Sequence, residues 1–351
     1  MSIAITGATG RLGRAVMALL VKTGAPVHVL TRHLARATEL FGDVAQIHEW
    51  HPLSSAPPAS ALRDADVVIH LAGEPVAGRW TVSRLDRIRR SRIVSSERLV
   101  SALKERPVRL IGASSYGIYG GRAGVTYSEE TPLEAPETPV QTLVQDWERA
   151  VLSARRNRSS VAVVRYGMLC GTAARDQRAL FPHGLAAQCV RGFGLQMGEG
   201  QQVVPVVDIE DAARLTVWLA SAPEIEGAVN AVAPTLLTLG DVGEAIATRC
   251  GRGPRLAIPN WIARPWLGPS APFTLGSFDI QPKRALNCGF QFLRPDGRDV
   301  IACALASHAG VANARTDEPA LGERTTSGDG TTGATLPVEP RPSLIERLKN
   351  Q

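Results

Sequence analysis

Ile3-Ala4-Ile5-Thr6-Gly7-Ala8-Thr9-Gly10-Arg11-Leu12-Gly13 decides how this chain folds. An apolar strand runs into a Gly-x-x-Gly-x-x-Gly turn, and a helix opens at its end. Glycine is needed there because the chain turns tightly and its backbone must come close to a pyrophosphate. That group rests on the free N–H groups and the positive dipole end of the helix. A glycine turn alone is a weak signal. Here an apolar strand precedes it, a helix follows, and a second strand answers it, which together make a dinucleotide-binding fingerprint.

Working outward, a helix over 11–23 closes at Gly24, and a strand follows over Pro26–Thr31. A third short strand is expected at Ala45–Trp50, followed by a loop. The apolar run Asp66-Val67-Val68-Ile69-His70-Leu71-Ala72 reads as the next strand. A long helix over about 82–104 leads to the strand Arg109–Ser114. A helix around Val140–Arg155 then leads to the strand Val161–Tyr166. Strands alternating with helices at this spacing imply an α/β fold, a Rossmann-type doubly wound parallel sheet covered on both faces. Further on, Val203–Val207 reads as one strand handing over to a helix capped by Asp208. After a strand at Ala228–Ala231, Thr238-Leu239-Gly240-Asp241 has the form of a capping box before a helix over 241–250.

The chain of 351 residues is expected to hold an NADP-binding domain over 1–308 and a tail over 309–351. Asn313–Pro342 is rich in Thr, Gly, Pro, Glu and Asp and reads as disordered. No apolar run is long enough to span a bilayer, and the strand at residue 3 leaves no room for a leader, so a cytoplasmic protein is expected. Five scattered cysteines fit neither a disulfide frame nor a zinc site, and no metal is expected. The net charge of +6 comes from scattered arginines, with only four lysines. That bias, with abundant Ala, Gly and Pro, suggests a GC-rich bacterial genome. No clustered basic face with interleaved aromatics suggests a nucleic-acid partner. The expected partner is a small-molecule substrate.

Thr31-Arg32 sits at the end of the second strand, 19 residues beyond Gly13. An NAD enzyme usually places an acid there for the ribose 2′-hydroxyl, whereas an arginine fork suits a 2′-phosphate. Arg36, one helical turn on, would help, so the cofactor expected is NADP(H). Arg92 lies seven residues from both Leu85 and Leu99, on the apolar face that Ile88 and Leu103 share. A guanidinium there must be paired or must face a polar cavity, because burying it unpaired is expensive. A structural ion pair and a contact to cofactor or backbone stand as equal readings. At the end of the fifth strand, Ser114 and Ser115 are the candidate catalytic residues, as hydroxyls that orient a substrate carbonyl. No Tyr-x-x-x-Lys occurs in the following helix or anywhere else in the chain.

In these residues the chain resembles an extended short-chain dehydrogenase/reductase. More narrowly, it resembles the atypical "epimerase family" or cell-division-inhibitor-like subgroup. The resemblance spans about residues 3–305. It rests on Thr6-Gly7-Ala8-Thr9-Gly10, Leu71-Ala72-Gly73-Glu74-Pro75 through Trp80, Ser91-Arg92, Gly117-Ile118-Tyr119-Gly120, Trp147-Glu148, Arg165-Tyr166-Gly167-Met168-Leu169 and Gln281-Pro282-Lys283-Arg284. It implies a Rossmann fold with a small C-terminal substrate-binding subdomain, formed mainly by about 175–205 and 235–305. It also implies NADP contacts from Gly7, Thr9, Gly10, Arg11, Leu12, Gly13, Thr31, Arg32, Leu71, Ala72, Gly73, Arg92 and Leu169. In this subgroup an arginine commonly replaces the active-site asparagine, matching Arg92.

The chain departs from the pattern at three positions. Counting back from Trp147, the usual lysine falls near Val144 and the usual tyrosine near Val140; Asp208 stands where relatives have a histidine. The expected activity is NADPH-dependent reduction of a ketone in a bulky secondary metabolite, an aromatic polyketide fitting best. The apolar and aromatic residues of 180–200 and 258–280, including Phe181, Phe193, Trp261, Trp266 and Phe273, would build the substrate side. A non-catalytic NADP(H)-sensing regulator and a sugar-nucleotide epimerase are the alternatives. For the proton, Ser114, Ser115, Tyr116, Tyr119, a water and the substrate itself are the candidates. Substrate-assisted reduction, with Ser115 orienting the carbonyl, is the expectation.

Overall fold

The computed structural model describes residues 1–76, 80–104, 106–171, 195–250 and 256–316. Seven strands form one all-parallel sheet: β1 (Ile3–Thr6), β2 (Val27–Thr31), β3 (Gln46–Glu49), β4 (Val67–His70), β5 (Arg109–Ser115), β6 (Ser160–Tyr166) and β7 (Gly227–Ala231). Their spatial order is β7-β6-β5-β4-β1-β2-β3. The order reverses between β2 and β4, on either side of β1, and a doubly wound sheet opens its ligand crevice at that switch point. The central strands carry near-continuous Val, Ile and Leu because helices cover both faces and leave no solvated side.

Helix α1 (Arg11–Lys22) buries Val16, Met17 and Leu20 against the sheet, at the spacing of a single apolar stripe. The crossover from β2 to β3 contains α2 (Leu34–Phe41), a segment to which the sequence reading assigns no element. A parallel pair needs such a crossover, and Ala37 and Phe41 anchor it. On the other side lie α3 (Val82–Ala102) and α4 (Pro139–Leu152). Thr138 and Gln141 cap α4 reciprocally, with Pro139 at its first position. The helix expected to reach Arg155 ends at Leu152, and a tighter 3-10 turn continues over Ser153–Asn157.

Three further expectations are corrected. Val203–Val207 is two strands, because Pro205 lacks an N–H and interrupts the ladder. Val203–Val204 pairs antiparallel with Leu237–Thr238, and Val206–Asp208 pairs parallel with Met168–Cys170. Thr238 and Asp241 do form the expected reciprocal bonds, but the helix they open, α6 (Leu239–Cys250), starts two residues earlier than expected. Before it, α5 (Ile209–Ala220) is capped by Asp208, whose carboxylate accepts from the Glu210 N–H at 2.8 Å. The third correction concerns the boundary at 308. The helix Gly297–Thr316 runs through it, so residues 309–316 are helical; residues 317–351 lie outside the described ones.

A second, smaller apolar core gathers Val204, Val206, Leu237, Val242, Val300 and Ile301 beside the C-terminal edge of the sheet. It draws on the 235–305 part of the expected subdomain. Most of the 175–205 part lies outside the described residues, Phe181 and Phe193 included.

Candidate functional site

The glycine turn is as tight as its sequence requires. Gly7 has φ +74°, and a Cβ on it would lie 2.7 Å from the Leu71 carbonyl carbon and 2.8 Å from the Ala72 nitrogen. The turn after β1 therefore touches the segment after β4. At Gly13 a Cβ would meet the Gly7 oxygen at 2.1 Å, which fixes how closely α1 approaches the strand end. Gly10 caps α1 without a side-chain acceptor, so the first-turn N–H groups are open to an anion. A backbone cradle of this kind fits a dinucleotide pyrophosphate. Arg11 and Leu169, 158 residues apart, meet here: the Arg11 guanidinium donates to the Gly171 oxygen at 2.7 Å and the Leu169 oxygen at 3.4 Å. Thr9 is partly buried and Leu12 is buried under the turn.

At the end of β2 the Thr31 hydroxyl accepts from the His33 N–H at 3.1 Å and turns the chain outward. Arg32 is exposed there, and neither it nor Arg36 makes an ion pair or hydrogen bond among the described residues. Two free guanidiniums at this strand end suit a phosphate on an adenosine ribose.

Beneath the turn runs a buried hydrogen-bond chain that the sequence reading missed. The Ala72 N–H donates to Thr6 Oγ1 at 3.2 Å, and Thr6 Oγ1 lies 2.7 Å from His70 Nδ1. His70 Nε2 lies 3.3 Å from Ser95 Oγ, whose own hydrogen goes to the Ser91 oxygen at 2.6 Å. That commitment fixes every direction: Nε2–H donates to Ser95, and Nδ1 accepts from Thr6. Burial holds the His70 imidazole down at about 4, so it is neutral at ordinary pH. A histidine inside an otherwise apolar strand was the available signal.

Arg92 resolves its two readings in favour of backbone and ring contacts. Its Nη1 donates to the Glu74 oxygen at 2.9 Å, and its guanidinium stacks 5.0 Å from the centre of the Trp147 ring. A Cβ on Gly73 would lie 3.1 Å from the Arg92 guanidinium carbon, so the 71–76 segment lies flat on that side chain. Burial lowers its pKa to about 10, with Glu74 opposing, and the group stays charged at neutral pH.

The two candidate serines at the end of β5 face different surroundings. Ser114 is buried and donates its hydrogen to Glu148 Oε1, which leaves none for a substrate. Glu148 is in turn clasped by Arg165, Nε to Oε1 at 2.8 Å and Nη2 to Oε2 at 2.9 Å. Arg165 also donates to the Tyr119 hydroxyl at 2.8 Å, and that hydroxyl donates to Asn230 at 2.9 Å. Tyr119 is therefore saturated. Ser115 is only partly buried; its oxygen accepts from the Gly117 N–H at 3.3 Å, and its proton is uncommitted. Sequence reasoning assigned no role to Glu148 or Arg165. Glu148 lies eight residues after Val140 and four after Val144, on the same buried face, and Arg165 interrupts an apolar strand.

Val140 and Val144, where the tyrosine and lysine would stand, are 2% and 1% exposed. They pack with Trp80, Ile118 and Phe278 in an apolar cluster. Phe273, from a short helix over Ala271–Leu275, closes over them. A Cβ on Gly117 would lie 2.6 Å from the Phe273 ring and 2.8 Å from a Val140 methyl. Of the other expected substrate residues, Trp261 is 75% exposed.

The model of a family described as the NAD dependent epimerase/dehydratase family matches residues 3–231. An epimerase family protein of Bacillus subtilis, YfhF, is 29% identical over 299 residues, covering 84% of this chain and 95% of its own length. The mouse epimerase family protein SDR39U1 is 28% identical over 314 residues, covering 86% and 100%. Among solved structures, human SDR39U1 with NADPH superposes with a TM-score of 0.70 at 23% identity, over 88% of this chain and 99% of that one. UDP-glucose 4-epimerase of Thermotoga maritima with UDP-glucose gives 0.71 at 18% identity, over 89% and 100%. At these identities the structural likeness concerns the fold. No helix among the described residues is long and apolar enough to cross a membrane, and no cluster of metal-ligating side chains occurs among them.

Proposed function

The chain belongs to the NAD dependent epimerase/dehydratase family, and from that premise we propose that it is an NADPH-dependent reductase acting on a ketone of a bulky aromatic metabolite, of polyketide type. The observation that carries this reading is the burial of Val140 and Val144 in an apolar cluster. Epimerisation and dehydration need a group that takes and returns a proton at the reacting carbon or oxygen, and two valines do neither. One-way reduction needs less: the carbonyl must be held, and its oxygen must gain a proton from solvent or from an acidic group on the ligand.

Gly7, Gly10, Gly13 and the open first turn of α1 would hold the cofactor pyrophosphate, with Thr9, Arg11 and Leu12 beside it. Leu71, Ala72 and Gly73 would border its nicotinamide half, between Arg92 and Leu169. Arg32, helped by Arg36, would meet the 2′-phosphate that distinguishes NADPH, the ligand named for the human structure. When bound, that cofactor supplies a hydride. Ser115, with its uncommitted proton, would orient the carbonyl oxygen. Positioning alone can contribute roughly 7–11 kcal/mol to lowering a barrier. A positioned acid adds about 10²–10⁴-fold, so its absence slows the reaction without forbidding it.

The test is to mix the full chain with NADPH and planar aromatic ketones and to follow loss of nicotinamide absorbance. Tight NADPH binding with no oxidation by any such ketone would replace this reading with that of an NADP(H)-sensing regulator. Interconversion of UDP-sugars would replace it with an epimerase.

A further inference from the structure

The chain has four tyrosines, all among the described residues. Three have their hydroxyls engaged: Tyr119 with Arg165 and Asn230, Tyr127 with the Arg122 N–H at 3.0 Å, and Tyr166 with Thr216 at 2.6 Å. Tyr116 differs. Its ring sits edge-on between Phe273 and Phe278, with centroids 5.0 and 4.8 Å away. Its hydroxyl has no hydrogen-bond partner among the described residues. Nor is its oxygen among the sealed polar atoms that lack partners. A phenol in apolar surroundings normally finds a partner, because leaving it unpaired forfeits the hydrogen bond it made in water. A reachable, unpartnered phenol set among aromatic edges has the form of a contact waiting for a ligand.

We propose that Tyr116 is a ligand-binding hydrogen-bond donor that selects a planar aromatic ketone over the matching hydrocarbon. It would act through its hydroxyl, on a ring held edge-on between Phe273 and Phe278. This deepens the reductase reading and rests on it for the identity of the ligand class. Trp80 meets Phe273 edge-to-face at 5.9 Å and 66°, so the surroundings of the Tyr116 ring are aromatic, as an aromatic ligand would favour. The role is donation and not proton transfer. Burial raises the Tyr116 phenol above its usual range, so it stays neutral at any working pH. Among the described residues neither a lysine nor another charged group contacts it to stabilise a phenolate. Tyr116 and Ser115 are thus the two uncommitted hydroxyls at the mouth of β5, while Ser114 and Tyr119 are spent within the protein.

The experiment compares 1-tetralone with tetralin, which has the same rings but no carbonyl. Both are titrated calorimetrically into the full chain in the presence of NADP⁺, which cannot deliver a hydride. The wild-type protein is expected to prefer the ketone by roughly 3–10-fold, the size of one neutral hydrogen bond. Tyr116→Phe keeps the ring and its packing, and is expected to erase the preference while leaving tetralin affinity and thermal melting unchanged. Three results would overturn the assignment: no preference in the wild type (including failure to bind either probe), a preference that survives Tyr116→Phe, or one that is erased by Ser115→Ala instead. Because none of these readings needs turnover, they are separable from the reductase test. A hydroxyl-dependent ketone preference without NADPH oxidation would leave Tyr116 as a ligand contact and remove the reductase.

Discussion

Arg165 and Glu148 face each other through two parallel hydrogen bonds of 2.8 and 2.9 Å, both side chains almost wholly buried, directly beneath the end of β5. The pair carries Ser114 on one side and Tyr119 on the other. A buried ion pair gains little over an apolar pair of equal volume, but breaking one half is costly because a bare charge remains.

Glu148→Leu should therefore destabilise the protein by about 3–5 kcal/mol, and adding Arg165→Met should restore most of that loss. Urea unfolding of the two single variants and the double variant checks this. Additive losses would show that the two residues do not act as a pair.

His70 makes stability depend on pH. Its folded value of about 4 lies below the ordinary 6.5, so the unfolded chain binds the extra proton between those values. Stability then rises with pH across that window and is lost as pH falls from about 6.5 toward 4, by about 3 kcal/mol in all. In His70→Asn the difference in urea midpoint between pH 7 and pH 4.5 should shrink. An unchanged difference would assign the acid sensitivity to other groups.

Arg32→Ala should weaken NADPH by about 1.5–3 kcal/mol, the value of a charge-assisted contact, and leave NADH nearly untouched. Dissociation constants for both cofactors decide the matter. Equal losses would show that Arg32 does not meet the 2′-phosphate.

Restoring the missing pair should not restore chemistry. A tyrosine at position 140 would have to enter space held by Phe273, already close enough that a Cβ on Gly117 would overlap both residues. Val140→Tyr with Val144→Lys should cost about 1–3 kcal/mol from overpacking, with the burial of an unpaired lysine adding to it, and give no faster ketone reduction. A gain in rate without loss of melting temperature would mean the cluster opens readily.

What the sequence determined alone is local. The glycine turn, the alternation of strands and helices and the caps at Asp208 and Thr238 are legible because each depends on residues within a few positions of one another. The loss of tyrosine and lysine is legible in the same way. The 3.6-residue period also placed Arg92 on the apolar face of its helix, beside Leu85 and Leu99. It did not say what lay opposite, because a period reports which side of a helix is inside and nothing of its partner. Tertiary structure decided that Arg92 stacks on Trp147, that Phe273 closes over Val140 from 133 residues away, and that Ser114 gives its hydrogen to Glu148 while Ser115 keeps its own. Those outcomes depend on where a hydrogen-bond direction or a ring edge falls once distant segments pack. Two adjacent serines that look alike in the sequence differ because β5 turns their side chains to opposite sides of the sheet.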